Sequence, residues 1–66
     1  MNNLKSERVR IGMSQSELAA KIGVTKGAVI SWEKDINSCK AVNLNALADI
    51  FGCTCDYLTG RVEERT

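Results

Sequence analysis

Four residues at helical spacing carry the most suggestive side-chain chemistry of this chain: Lys26, Gly27, Ile30 and Ser31. On one predicted helix they turn away from Val29 and Trp32, so an apolar anchor on one side leaves them facing outward. Lys26 can donate to guanine O6 or N7, or else to a phosphate. Ser31 can bond several base edges. Ile30 can touch a thymine methyl or be partly buried, and Gly27 can only permit close approach to the backbone. Base edges of a nucleic acid are what such a set can address. A second set is polar: Gln15, Thr25, Lys34, Asn37, Lys40 and Asn43 are candidate phosphate partners, of which Lys34, Asn37, Lys40 and Asn43 could equally be ordinary surface. Gln15 starts a predicted helix, where unpaired N–H groups attract phosphate.

Other chemistries find little support. The chain has no histidine, no phosphate-cradling glycine loop and no carboxylate pair placed for acid–base work, which makes an enzyme the weakest reading. A nucleophile built on Cys39 or Cys55 would lack a base. Three cysteines, Cys39, Cys53 and Cys55, are an odd number with a spacing unlike a disulfide framework. Free thiols in a reducing cytoplasm are expected, with Cys53 acting as a small core hydrophobe. No metal and no cofactor is expected.

The elements that must position these residues are helical. The spacing predicts a first helix from about Leu4 to Ile11, capped by Asn2 or Asn3, with Leu4, Arg8 and Ile11 on one face. Ser14-Gln15-Ser16-Glu17 reads as a capping box for a second helix over 15–22, with Met13 and Leu18 as its hydrophobic staple. Gly23 stops that helix, Thr25 caps a third over 26–34, and 35–40 reads as a polar loop with Ile36 its one aliphatic residue. A fourth helix over 41–51 carries Leu44, Leu47, Ala48 and Phe51 at i, i+3, i+4, i+7, and Thr54 caps a short last helix over 55–59.

Two helices joined as tightly as 15–22 and 26–34 must cross steeply. The crossing needs a small residue, Ala19. The turn needs a left-handed one, Gly23, and Val29 and Trp32 must lock the second helix down. Together these residues form a helix-turn-helix signal. The stretches MSQSELAAKIGVTKGAVISWEKD and LNALADIFGCTCDYLTG, within residues 4 to 60, resemble the phage repressor and Cro type of domain, the XRE family. The resemblance implies an all-α, five-helix, lambda-repressor-like DNA-binding domain over 1–60, with its helix-turn-helix at 15–34 and a short flexible tail at 61–66. It implies that the third helix enters the major groove, commonly as a dimer on a near-palindromic operator. It places Gln15 against the sugar-phosphate backbone. It pairs Arg8 with Glu33 as a structural ion pair between the first and third helices, and it puts a dimer interface near Ile50, Tyr57 and Leu58, although Tyr57 and Leu58 could equally just close the small core. Asp35 stands where relatives often carry glycine, which brings a carboxylate near the expected phosphate path. Cys39-Lys40 stands where the family usually has proline, and Lys26 and Gly27 stand where several relatives have longer amides.

Length and charge set the frame. Sixty-six residues make one small domain. No apolar run exceeds three residues, so neither a membrane span nor a secretion signal is expected. The net charge of +1 divides into +3 over residues 1–48 (seven Lys/Arg, four Asp/Glu) and −2 over 49–66 (two against four). The expectation is a cytoplasmic, sequence-specific regulator of transcription, bacterial or phage in type and a repressor in action. Its expected partners are double-stranded DNA and a second copy of itself, with no membrane. The alternative is a protein-interaction module or an antitoxin-type subunit that binds a protein partner through the same fold.

Overall fold

A computed structural model describes residues 2–65; Met1 and Thr66, the last residue of the expected tail, lie outside the described residues. The order is α1 (Leu4–Arg10), α2 (Gln15–Ile22), α3 (Lys26–Lys34), a 3-10 turn (Ile36–Ser38), α4 (Ala41–Phe51) and α5 (Cys55–Leu58), with no strand among the described residues. The all-α, five-helix architecture is the one the apolar spacing predicts. No helix among the described residues is long and apolar enough to cross a membrane.

Four of the five helix starts have a local cause; α4 begins after Lys40 without a side-chain cap bond. Ser14 Oγ accepts from Glu17 N at 3.0 Å while Glu17 Oε1 accepts from Ser14 N at 2.9 Å, so two otherwise unpaired donors of α2 are satisfied reciprocally. Thr25 and Thr54 cap α3 and α5 by accepting from Ala28 N and Tyr57 N. The start of α1 is divided between two asparagines. Asn3 occupies the cap position without a side-chain cap bond, and Asn2 Oδ1 accepts from Leu4 N at 3.0 Å instead. The Asn3 amide is occupied elsewhere, donating to Tyr57 O at 2.7 Å and so tying the chain start to α5.

Leu4, Leu18, Val29, Trp32, Leu47, Phe51 and Leu58 form one buried core to which every helix contributes. Two features differ from the sequence reading. The segment after α3 is not merely a polar loop: Ile36 is buried in the core, and a 3-10 turn forms to put it there. And residues 61–65, assigned by sequence to a flexible tail, fold back over α5. Arg61 N donates to Asp56 O and Thr54 N donates to Arg65 O, both at 2.8 Å. The Arg65 guanidinium reaches Glu7 Oε1 at 2.7 Å and Phe51 O at 2.6 Å. Arg10 meets the same two acceptors at 3.0 and 3.1 Å. Two cations thus cover a carboxylate buried to 3% exposure and a carbonyl at the C-terminal end of α4, where the helix dipole favours positive charge.

Candidate nucleic-acid interface

The α2–α3 unit is built to present one side of α3. Gly23 sits at φ +87°, and its N–H and that of Val24 both bond Ala19 O, at 2.8 and 2.9 Å. A Cβ on Gly23 would meet no atom within 4 Å, so the position demands glycine for its left-handed backbone rather than for space. Ala19 is 3% exposed, small enough to let the two helices approach. Val29 and Trp32 are buried, which fixes α3 in rotation. Opposite them Lys26, Gly27 and Ser31 are exposed and Ile30 is half-buried, four residues on one outward face.

Beside that face a charged network ties α1, α2 and α3 together. Arg8 Nε donates to Glu33 Oε2 at 2.6 Å, and Arg8 Nη1 donates to Met13 O at 2.8 Å. Gln15 Nε2 donates to Glu33 Oε1 at 3.1 Å. The side chains of Arg8 and Glu33 are 11% and 9% exposed, so this pair is largely out of water. Glu33 therefore fixes Gln15 as well as Arg8. An open cleft in front of the network is lined by Lys5, Ser14, Gln15, Ser16 and Lys26. Lys5 was not singled out from the sequence. Its signal was its place one turn before Arg8 on α1, legible only once α1 is known to lie against α3.

The remaining positions fall along the chain beyond α3. Lys34 ends α3, Asn37 lies in the 3-10 turn, Lys40 precedes α4 and Asn43 lies in its first turn; all but the half-buried Asn43 are exposed. The Thr25 hydroxyl accepts from Ala28 N at 3.2 Å, which leaves its own proton free to donate. Asp35, whose charge the sequence placed near a phosphate path, turns its carboxylate onto its own chain: Oδ1 accepts from Asn37 N at 3.0 Å. It starts the 3-10 turn that carries Ile36 inward.

Of the three residues expected at a two-fold surface, Leu58 is a correction. It is 0% exposed and belongs to the core, because α5 packs with its leucine inward. Ile50 and Tyr57 are half-buried and keep part of their surface. The sequence missed Glu7, which its i,i+3 spacing to Arg10 hinted at but whose second partner, Arg65, lies 58 residues away. Its carboxyl is held below its ordinary value by the Arg65 hydrogen bonds first and by Arg10 with them, against the opposing effect of burial. Burial pushes the Cys39 and Cys53 thiols up, away from the reactive thiolate form.

The sequence model of a family described as helix-turn-helix matches residues 4–58. No curated protein and no solved structure matches the chain.

Proposed function

The chain belongs to the phage repressor and Cro type of helix-turn-helix family, a family of DNA-binding regulators, and from that premise we propose that it is a sequence-specific transcriptional repressor whose α3 enters the major groove. One observation carries the reading. α3 is locked from behind by Val29 and Trp32, while its outward residues Lys26, Gly27, Ile30 and Ser31 have no burial role to explain all four. Lys26 and Ser31 supply donors for base edges and Ile30 supplies apolar contact. Gln15, held by Glu33, and Lys5 face the same cleft as Lys26, which suits a phosphate beside the groove. Thr25, Lys34, Asn37, Lys40 and Asn43 extend the backbone contacts on the far side.

The protein acts in the cytoplasm as a homodimer through Ile50 and Tyr57, on half-sites about 34 Å apart. Repression follows from occupancy of an operator. The test is selection of bound sequences from random duplexes. A recovered motif with inverted half-sites, and affinity that falls steeply as salt rises, is the expected result. A failure to bind any duplex even at low salt would overturn the reading in favour of a protein partner.

A further inference from the structure

Residues 61–65 lie over the turn between α4 and α5 with little of their own in the core: 61–64 are exposed and Arg65 is half-buried. They fold back from Gly60, whose φ of +84° makes the bend. Arg61 N and Val62 N donate to Asp56 O, at 2.8 and 3.4 Å, and Arg65 supplies the rest of the hold. Its carbonyl accepts from Thr54 N at 2.8 Å and its guanidinium donates to Phe51 O at 2.6 Å, so Arg65 straddles Gly52 and Cys53. The guanidinium also reaches Glu7 Oε1, at 2.7 Å from Nη2 and 3.1 Å from Nε. Both of these acceptors are met without it. Arg10 donates to Glu7 Oε1 at 3.0 and 3.2 Å and to Phe51 O at 3.1 Å. One carboxylate balances one cation, so of two guanidiniums crowded on a single oxygen one is surplus, held against the repulsion of the other. Nor does α5 depend on the segment for its place. Asn3 N donates to Leu58 O at 3.0 Å and Asn3 Nδ2 to Tyr57 O at 2.7 Å, which ties α5 to the start of α1. Thr54 is exposed, so water can take its amide once the Arg65 carbonyl leaves.

We propose that residues 61–65 are a releasable strap, hinged at Gly60 and locked by Arg65 onto acceptors that Arg10 keeps satisfied in either state, so that it opens over the α4–α5 turn and Cys53 while the helices stay packed. The proposal is independent of the DNA reading. The lock is electrostatic, and the Arg65 side chain is 38% exposed, within reach of dissolved ions, so salt favours release. Closure withholds Cys53. That residue is half-buried, packs against the core, and is bracketed by the two points at which Arg65 grips the turn. A segment held by exposed backbone bonds and few apolar contacts belongs to the low-stability end of native fluctuations.

The test uses the full chain with Cys39→Ser and Cys55→Ser, so that Cys53 is the one thiol left for labelling by iodoacetamide, a neutral reagent whose approach salt does not steer. Arg65→Met is expected to raise the Cys53 labelling rate about fivefold, which corresponds to about 1 kcal/mol. Hydrogen exchange at the Thr54 amide should quicken by a similar factor. High salt should speed labelling of the parent and leave Arg65→Met unchanged. Arg61→Met, on the same strap but in no ion pair among the described residues, should alter neither readout. Thermal unfolding reads the stand-in role of Arg10. Arg10→Met and Arg65→Met should each lower the midpoint by about 4–8 °C, and together by more than the sum, since Glu7 is then buried without a partner. The proposal is overturned if Arg65→Met leaves both the Cys53 rate and the Thr54 exchange at the parent's values, or if the two midpoint shifts add. A Cys53 rate that rises only in step with global unfolding, followed by Trp32 fluorescence, overturns it as well.

Discussion

Replacing Arg8 by methionine should cost this domain a large part of its stability. The Arg8 and Glu33 side chains are 11% and 9% exposed, so their pair lies outside the regime in which water screens a surface ion pair to almost nothing. Arg8→Met leaves Glu33 with the Gln15 amide as its remaining side-chain donor and takes the guanidinium from Met13 O. Removing one member of a buried pair costs about 3–5 kcal/mol, because the other charge stays buried without compensation. A domain of 66 residues holds about 3–10 kcal/mol in total. The variant should therefore unfold at much lower urea, or be partly unfolded in buffer. Its melting point should drop by about 12 °C or more, at roughly 4–8 °C per kcal/mol for a chain of this size. Trp32, the single tryptophan and 5% exposed, reports the transition by fluorescence. The companion variant Arg8→Met with Glu33→Met leaves no charge behind and should recover most of the loss. It should still bind DNA more weakly than the parent, since nothing then holds Gln15. An Arg8→Met cost below about 1 kcal/mol, the range of exposed pairs, would refute the argument, as would a double variant no more stable than the single one.

Lys26→Ala should weaken binding to a selected operator by about 1–3 kcal/mol while leaving non-specific DNA nearly unaffected; equal losses on both would make Lys26 a phosphate contact. Thr25→Ala should lower folding stability by about 1 kcal/mol through loss of the cap on α3, with Thr25→Ser restoring it, as read by urea unfolding. Tyr57→Asp should shift the sedimentation mass from dimer to monomer, and an unchanged mass in a folded variant would remove Tyr57 from the interface. For Glu7 the sign follows from its lowered folded-state pKa: its contribution is present above the ordinary value near 4.5 and is lost as pH falls through that value and below. Glu7→Gln should therefore flatten the acid side of a stability-versus-pH curve, and an unaltered acid slope would show that other carboxylates set it.

Local signals reached far into this fold, and long-range ones did not. The start of α2 is legible because the capping box and the Met13–Leu18 staple are both written within six residues. Gly23 and Ala19 were legible because a three-residue turn leaves few conformations open. The Arg8–Glu33 pair came from family resemblance, since nothing in the residues between them says that α1 crosses α3. Ile36 reads as a loop aliphatic because one apolar residue has no period, and only the 3-10 turn started by Asp35 shows how it reaches the core. Leu58 is given to a two-fold surface by family resemblance alone, and a last helix this short has too few positions for periodicity to decide between that surface and the core it in fact closes. The Glu7–Arg65 contact joins the first helix to the end of the chain and left no mark on sequence pattern at all.

A net charge of +1 looks unsuited to a polyanion, yet the structure changes what that sum means. Glu33 is spent on Arg8, and Glu7 on Arg10 and Arg65. The other two carboxylates of the first 48 residues serve their own backbone, Glu17 at Ser14 N and Asp35 at Asn37 N. Lys5, Lys21, Lys26, Lys34 and Lys40 form no ion pair among the described residues. Three of the four arginines, with their rigid forks, are tied to carboxylates of the fold, and lysine, a mobile point charge, is left outside. The −2 of the last 18 residues is carried by Asp49, Asp56, Glu63 and Glu64 against Arg61 and Arg65, beyond the helix-turn-helix. On the proposed reading, the charge offered to a phosphate backbone is that of the lysines around α2 and α3. If that division governs binding, Lys34→Ala and Lys40→Ala should each lower the slope of log affinity against log salt by about 0.9, with non-specific affinity falling in step. The same substitution at Lys21, on α2 and outside the proposed contact set, should leave the slope where it was.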